Sequence, residues 1–165
     1  MTDPQHSLDR AVTEGDVPFV LGLVAGADGA LWQGASGAAR VGVRAGPETV
    51  LRLYSMTKAV GAVAAALLVE RGAFGWNEPV DAVLPAFAAL PVLEGWDGDV
   101  PRLRPQRGQA TLRQLVSHTS GAAYPTWDAG LARFAADRHH PSPRSGRRLG
   151  LVMPLAFDPG GGWAY

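Results

Sequence analysis

The stretch YSMTK, residues 54–58, places Ser55 three residues before Lys58. Lys58 is the only lysine of the chain, because every other basic side chain in its Lys+Arg count of 15 is an arginine. A lysine amine loses its proton where the surroundings disfavour charge, whereas an arginine in a protein stays protonated. The lone lysine therefore indicates a site that needs a neutral amine next to the Ser55 hydroxyl.

The spacing of Ser55 and Lys58 suits a nucleophile and its general base. Residues three apart share a face of a helix, so the amine can reach the hydroxyl. The positive end of the helix dipole favours a serine alkoxide, and burial disfavours an ammonium. The Ser55 backbone N–H would then help to bind an oxyanion. The alternative is an N-cap serine followed by a lysine that extends towards solvent.

Several predicted elements must position this pair. Residues 56–71 are apolar on every side, which predicts a buried helix, and Gly72 is typical of a C-terminal stop. Thr111 is expected to cap a second helix, LRQLVSH. The other predictions are a leading helix at 7–15 within segment 1–16, two strands around a turn at 27–29, and a third strand at 49–54.

Composition excludes several classes of protein. Apolar residues make up 47% and charged residues 18% of the 165 residues, a globular balance that fits one domain. The formal net charge is zero, so no global field draws the chain to nucleic acid or to acidic lipid. The chain has no cysteine, which excludes disulfides and thiolate chemistry.

The N-terminal stretch MTDPQHSLDRAVTEGD is polar and mixed in charge. It lacks the basic and then apolar layout of a signal peptide. The uncharged apolar run at residues 59–69 is too short to span a bilayer. We therefore expect a cytoplasmic protein with no membrane partner.

Three stretches, in order along the chain, resemble one family. LRLYSMTKAVGAVAAALLVERGAFGWNEPVDAVLPAF resembles the first motif region of the serine β-lactamase and penicillin-binding-protein superfamily, in its class C-like branch. TLRQLVSHTSGAAY resembles the family's helix that ends in His-Thr-Ser-Gly, and PLAFDPGGGWAY resembles the segment that leads to its catalytic tyrosine. The Ser-Met-Thr-Lys form and the Ala-Tyr continuation are similar to family VIII carboxylesterases. The resemblance covers residues 17–165.

The resemblance implies a fold and a set of roles. The fold would be α/β (an α+β sandwich) of the β-lactamase/DD-peptidase type, with an antiparallel sheet flanked by helices. Ser55 would be the acylated nucleophile and Lys58 its partner, while Tyr165 would share proton transfer and activate the deacylating water. No metal or organic cofactor is implied, and the partner would be a small-molecule ester or amide.

The sequence departs from the family pattern by stopping at Tyr165. The family's later Lys/His-x-Gly type motif, its C-terminal strands and its C-terminal helix are not present in it. We therefore expect residues 1–165 to be the N-terminal part of a single serine hydrolase domain. Two loops are predicted in it, at residues 91–110 and 138–148, because both stretches are rich in proline, glycine and arginine.

The function that follows is a serine hydrolase that acts on carboxylic esters through an acyl-enzyme. One alternative is a β-lactam or D-amino-acid peptide hydrolase, and another is a non-catalytic fragment or binding module. Tyr124 and Trp127 follow the second motif and are expected to line the substrate mouth. Two further motifs carry less weight: residues 34–38, which nearly match a nucleophile elbow, and His118, which is expected to be structural at a helix C-terminus.

Overall fold

The computed structural model describes residues 3–165, which form two compact units, one ending at Tyr54 and one running from Ser55 to Tyr165. All strand pairs in the described residues are antiparallel. The helices are α1 (Pro4–Thr13), α2 (Thr57–Glu70), α3 (Leu112–Val116) and α4 (Ala129–Asp137). The strands are β1 (Phe19–Gly26), β2 (Gly29–Arg40), β3 (Val43–Arg44), β4 (Val92–Asp97) and β5 (Val100–Arg104).

The first unit is a three-stranded sheet with one helix against it. Asp3 caps α1, because its side chain accepts a hydrogen bond from the Gln5 backbone N–H at 3.0 Å, and Pro4 follows in the first turn. β1 and β2 pair around the turn predicted at residues 27–29. The leading helix and the two strands are confirmed, although residues 1 and 2 of the predicted segment 1–16 lie outside the described residues.

The predicted third strand at residues 49–54 is wrong. Residues 49–53 have no regular secondary structure, and the third strand of the sheet is the short β3 instead. An apolar run with β-branched residues forms a strand only where a neighbouring strand can pair with it. β3 has that neighbour, since it pairs with the end of β2.

Helix α2 begins just after a 3₁₀ turn, Tyr54–Met56, and ends at the predicted stop. Gly72 adopts a φ of +68°, and its backbone N–H donates to the Val69 carbonyl at 3.0 Å. The Ala73 N–H donates to the Leu68 carbonyl at 2.9 Å, which completes a Schellman motif. The predicted C-terminal stop is therefore confirmed.

The prediction that α2 is buried is wrong for the described residues. None of its side chains is buried, and Val60 and Val63 are 61% and 60% exposed. An apolar helix is covered only if neighbours pack on every side, and within its own unit α2 contacts α3. Its apolar composition is typical of a core helix, but the described residues do not supply the layers that would cover it.

The predicted loop at residues 91–110 is instead largely the β4–β5 hairpin. Gly98 and Asp99 form its two-residue connection, with Gly98 at a φ of +56°. Pro101 lies within β5, where an edge strand tolerates the missing N–H. The turn and breaker residues that suggested a loop therefore mark a hairpin with a bulge. In the other predicted loop, 138–148, the structure has the 3₁₀ turn Pro143–Ser145, and a second, Arg148–Leu151, begins at its last residue.

The core of the second unit lies between α4, the β4–β5 hairpin and the segment that contains Met153 and Ala156. Asp128 caps α4, because its side chain accepts from the Leu131 N–H at 2.8 Å. Leu131 is fully buried and packs with Phe134 and Met153. Partly buried side chains complete the cluster: Leu93, Trp96, Ala123, Ala135 and Ala156.

Candidate active site

Ser55 and Lys58 lie where the sequence places them, at the start of α2. Ser55 is in the 3₁₀ turn and is exposed, and Lys58 is in the first turn of the helix and is half-buried. The Lys58 Nζ donates a hydrogen bond to Ser55 Oγ at 3.4 Å. The predicted contact between the amine and the hydroxyl is therefore present, at the positive end of the helix dipole.

Tyr165 joins this pair from the other end of the chain. The Lys58 Nζ lies 4.8 Å from the centre of the Tyr165 ring. A hydrogen bond with the Ser55 side chain lowers the pKa of the Tyr165 phenol, and Lys58 lowers it further, against the opposing effect of burial. The structure therefore brings together all three residues that the sequence singled out and favours the phenolate form of Tyr165.

The expectation that Lys58 is a neutral amine is wrong for this arrangement. Burial acts to lower the pKa of Lys58, as expected, but it is outweighed. Hydrogen bonds to the phenols of Tyr124 and Tyr165 raise that pKa above its ordinary value. Lys58 is thus an ammonium at neutral pH. Tyr165 is the group of the pair whose pKa is shifted towards neutral pH.

The loop at residues 118–121 holds the segment that ends in Tyr165. The Ala164 N–H donates to the His118 carbonyl at 3.0 Å, and the Gly160 N–H donates to the Thr119 carbonyl at 2.7 Å. The His118 ring packs against the Tyr165 ring with centroids 5.1 Å apart. The His-Thr-Ser-Gly motif therefore works as a backbone clamp on the tyrosine segment.

Two residues of this loop take left-handed backbone conformations. His118, just past the end of α3, has a φ of +58°, and Gly121 has a φ of +88°. A Cβ at Gly121 would overlap the Phe157 carbonyl oxygen, so the close approach of the two segments requires a glycine there. His118 lies at the C-terminal end of α3, as predicted, and its ring packs against the rings of Tyr165 and Trp163.

Asp158 fastens the same segment to the hairpin. Its carboxylate accepts two hydrogen bonds from the Arg104 guanidinium, at 2.8 and 2.7 Å, and one from the Arg107 backbone N–H at 2.8 Å. These bonds lower the pKa of Asp158 to about 2, with Arg104 as the largest cause. Arg104 also donates to Glu94 at 2.6 Å. Sequence reasoning missed this network, because its members are far apart along the chain.

Two cavities are lined in part by Tyr165. One, of about 270 Å³, is lined by Lys58, Tyr124, His118 and Tyr165 together with mostly apolar side chains. The other, of about 600 Å³, is lined by Trp127, Trp163, Tyr165 and neighbouring residues. Tyr124 and Trp127 therefore lie where the sequence placed them, beside the candidate site.

The other candidate motifs do not form a site. Residues 34–38 lie within strand β2 and not at a strand-to-helix turn, so they cannot act as a nucleophile elbow. Among residues 3–165, no group of three His, Asp or Glu side chains is placed to hold a metal ion. No helix in that range is both long enough and apolar enough to cross a bilayer.

Comparison with known proteins adds a family match. A family model described as Beta-lactamase matches residues 10–165. Monacolin J acid methylbutanoyltransferase of Aspergillus terreus is 40% identical over 120 residues, which are 72% of this chain and 29% of that protein. Lovastatin esterase of Penicillium rubens is 33% identical over 121 residues, 72% of this chain and 30% of that protein.

Solved structures agree with the sequence relatives. Unliganded simvastatin synthase from Aspergillus terreus matches with a TM-score of 0.85 at 33% identity, over 100% of this chain and 46% of that chain. EstCE1, a hydrolase with promiscuous acyltransferase activity, matches with a TM-score of 0.72 at 26% identity, over 98% of this chain and 42% of that chain. The chain thus spans less than half the length of each of these four relatives.

Proposed function

Because the chain belongs to the beta-lactamase family, we propose that it carries the nucleophile of an enzyme that transfers acyl groups from carboxylic esters by way of an acyl-enzyme. Ser55 is the nucleophile, Tyr165 is its general base, and Lys58 is the cation that keeps Tyr165 deprotonated. The observation that carries the proposal is the contact of all three groups. Lys58 Nζ lies 3.4 Å from Ser55 Oγ and 4.8 Å from the centre of the Tyr165 ring, and Ser55 is the largest cause of the lowered pKa of the Tyr165 phenol.

The first half of the reaction forms the acyl-enzyme. Ser55 Oγ attacks the ester carbonyl carbon while its proton passes to the Tyr165 phenolate. The negative charge that develops on the carbonyl oxygen faces the Ser55 backbone N–H at the positive end of α2. The intermediate collapses as the carbon–oxygen bond to the leaving alcohol breaks. The alcohol departs with the proton that Tyr165 received.

The second half releases the acyl group. A water or an acceptor alcohol attacks the acyl carbon and gives its proton to the Tyr165 phenolate. The bond between the acyl carbon and Ser55 Oγ then breaks, and the serine regains its proton from the tyrosine. Lys58 remains an ammonium throughout. Its positive charge favours the phenolate form of Tyr165 and so helps the tyrosine to release each proton that it has accepted.

The surroundings of the site favour an uncharged acyl group. Apart from Lys58 and the tyrosines, the 270 Å³ cavity presents one ionisable side chain, His118, and its remaining lining is largely apolar, with Phe87, Leu90 and Met153 among it. Transfer of apolar groups from water to such a lining is favourable, whereas an unpaired charge there is costly. The substrate class is therefore an ester with an apolar acyl chain.

The acyl acceptor is either an alcohol or water, and one relative supports each of the two. The name of the 40% identical relative describes acyl transfer, and the name of the 33% identical relative describes ester hydrolysis. An alcohol acceptor gives a new ester, whereas water gives a free acid. A β-lactam or D-amino-acid peptide substrate remains the alternative within the same fold.

The proposal is tested by labelling the protein, expressed at its natural length, with a serine-directed fluorophosphonate. We expect one adduct, mapped to Ser55 by peptide mass spectrometry, and none in Ser55→Ala. Ser117→Ala is the matched control, because Ser117 is exposed and its hydroxyl hydrogen-bonds to Thr119 at 2.9 Å, away from the amine. It should label like the unmodified protein.

Turnover then separates the acceptors and the substrates. Rates on a p-nitrophenyl ester are compared with rates on a cephalosporin, and the ester assay is repeated with an added alcohol. Faster ester turnover supports the proposal, and a new ester product identifies transfer to the alcohol. Absence of any adduct would contradict it and favour a non-catalytic module.

A further inference from the structure

Tyr124 contacts the lysine of the site through its side chain. Its hydroxyl accepts a hydrogen bond from Lys58 Nζ at 3.3 Å, about as long as the 3.4 Å bond from the same nitrogen to Ser55. The ammonium also lies 5.1 Å from the centre of the Tyr124 ring, within the range of a cation–π contact. Tyr124 therefore fixes the position of Lys58 with both its polar and its aromatic parts.

Tyr124 also contacts Tyr165, through its backbone. The Tyr124 N–H donates to the Tyr165 carbonyl oxygen at 3.1 Å, and the two rings lie 5.8 Å apart at an angle of 44°. Tilted aromatic pairs at this separation are favourable. One residue thus contacts both the cation and the general base that the proposal places beside Ser55.

The backbone at Tyr124 is restricted by the next residue. Tyr124 has a φ of −79° and a ψ of 137°, and Pro125 follows it. A proline excludes the helical region for the residue before it and favours this extended conformation. The backbone of Tyr124 is therefore restricted to the conformation seen here, which suits a supporting contact.

We infer that Tyr124 is a positioning residue that holds the Lys58 ammonium against Ser55 and Tyr165. A lysine side chain has a flexible four-carbon stem and three N–H donors that can rotate. The Tyr124 hydroxyl occupies one of these donors and leaves the others to point at Ser55 and Tyr165. The inference rests on the proposed function, but the contact itself can be tested without turnover.

The rival role for Tyr124 is direct contact with substrate at the mouth of the site. The two roles differ in what removal of the hydroxyl would change. A positioning residue acts on the protonation of Lys58 and on kcat, whereas a substrate contact acts on KM. Among the described residues, the titratable groups around Lys58 are the phenols of Tyr124 and Tyr165, with His118 lining the same cavity.

The first experiment is a titration of Lys58 in Tyr124→Phe, which keeps the ring and removes the hydroxyl. The protein, at its natural length, carries ¹³Cε-labelled lysine, and the Lys58 resonance is assigned by its loss in Lys58→Met. We expect its titration midpoint to fall by about half a unit to one unit, since a hydrogen bond to the charged form is lost. Tyr54→Phe is the matched control, because Tyr54 is 77% exposed, and its midpoint should match that of the unmodified protein.

The second experiment measures turnover of the same variants. We expect kcat of Tyr124→Phe to fall about tenfold or more with KM changed less than about threefold. An unchanged Lys58 midpoint would overturn the inference, whether or not KM rises. Failure of the proposed function is distinguishable, because an unmodified protein without esterase activity would contradict it while the titration still reports on Tyr124.

Discussion

The protonation states of Lys58 and Tyr165 depend on each other. The ammonium of Lys58 lowers the pKa of the Tyr165 phenol, and hydrogen bonds to the phenols raise the pKa of Lys58. Because each group shifts the pKa of the other, the two groups titrate as a coupled pair. At the residue scale, the two shifts both favour an ammonium at Lys58 and a more readily deprotonated phenol at Tyr165, beside the Ser55 hydroxyl.

Replacing Tyr165 with phenylalanine should remove the base and keep the ring. We expect kcat/KM for ester turnover to fall about 10²–10⁴-fold, the usual contribution of general base catalysis. Because the lowered pKa of Tyr165 favours the phenolate, activity of the unmodified enzyme should rise as pH rises through that pKa. This limb of the pH profile of kcat/KM should be absent from the variant.

Thermal unfolding of Tyr165→Phe serves as the control, since its ring still packs on His118 and its melting temperature should change little. A variant that keeps the rising limb of the profile would argue against Tyr165 as the base. In that case another group would be taking the serine proton.

Part of the site could be predicted from residue types alone. Ser55 and Lys58 were found because a spacing of three on a helix is a local property of the sequence. The contact of Tyr124 with Lys58 joins residues 66 positions apart, and no local pattern encodes it. Its one signal was its place just after the second motif. The neutral lysine was predicted wrongly, because burial was weighed without the phenols that stabilise the charge.

At the element scale, the position of Tyr165 depends on the clamp formed by residues 118–121. The clamp begins where α3 ends, and α3 is fixed by a capping box in which Thr111 and Gln114 bond each other's backbone. Thr111 was predicted as this cap, and the prediction is confirmed. Gly121 is the point where the clamp and the tyrosine segment come closest.

Gly121→Ala should therefore destabilise the protein and lower its activity. The left-handed φ of +88° costs an alanine about 1 kcal/mol, and overlap with the Phe157 carbonyl adds about 1–3 kcal/mol. We expect the free energy of unfolding, measured by urea denaturation, to fall by about 2–4 kcal/mol.

Gly98→Ala is the matched control for this change. Gly98 also has a positive φ, of +56°, but a Cβ there would meet nothing within 4 Å. Its variant should lose only the backbone contribution of about 1 kcal/mol and should keep full esterase activity. Equal losses in the two variants would mean that the approach to Phe157 is not a constraint.

The hairpin shows why element prediction failed locally. Proline, glycine and arginine in residues 91–110 suggested a loop, yet β4 and β5 pair along most of it. Turn residues mark where a chain bends, and they do not say whether the flanking residues find a pairing partner. Here the partner strand begins three positions after the last residue of β4, so a two-residue connection sufficed. The bulge between Leu93 and Gly95, where Gly95 has a φ of +142°, hid the alternation further.

At the scale of the whole molecule, the family and the fold were predictable because three motifs occur in a fixed order. The predicted superfamily and its antiparallel, helix-flanked architecture are confirmed by the family match and by the similar solved structures. Burial was less predictable. A helix that is apolar on every side needs neighbouring elements to cover it. The sequence of the helix does not say whether the same stretch of chain supplies those neighbours, and for α2 none of the side chains is buried.

The core of the second unit is what joins the hairpin, α4 and the start of the tyrosine segment. Leu131 of α4 is fully buried among Leu93 of β4, Phe134 and Met153. Leu131→Ala should lower the free energy of unfolding by about 2–5 kcal/mol, because apolar contacts are lost and a cavity remains. Leu149→Ala is the matched control at a 57% exposed leucine of the same unit, and we expect its change to stay within about 0.5 kcal/mol. Urea unfolding of both variants compares them directly. Similar small losses would mean that this cluster does not hold the unit together, and that the position of Tyr165 depends on the polar contacts of Asp158 and residues 118–121 alone.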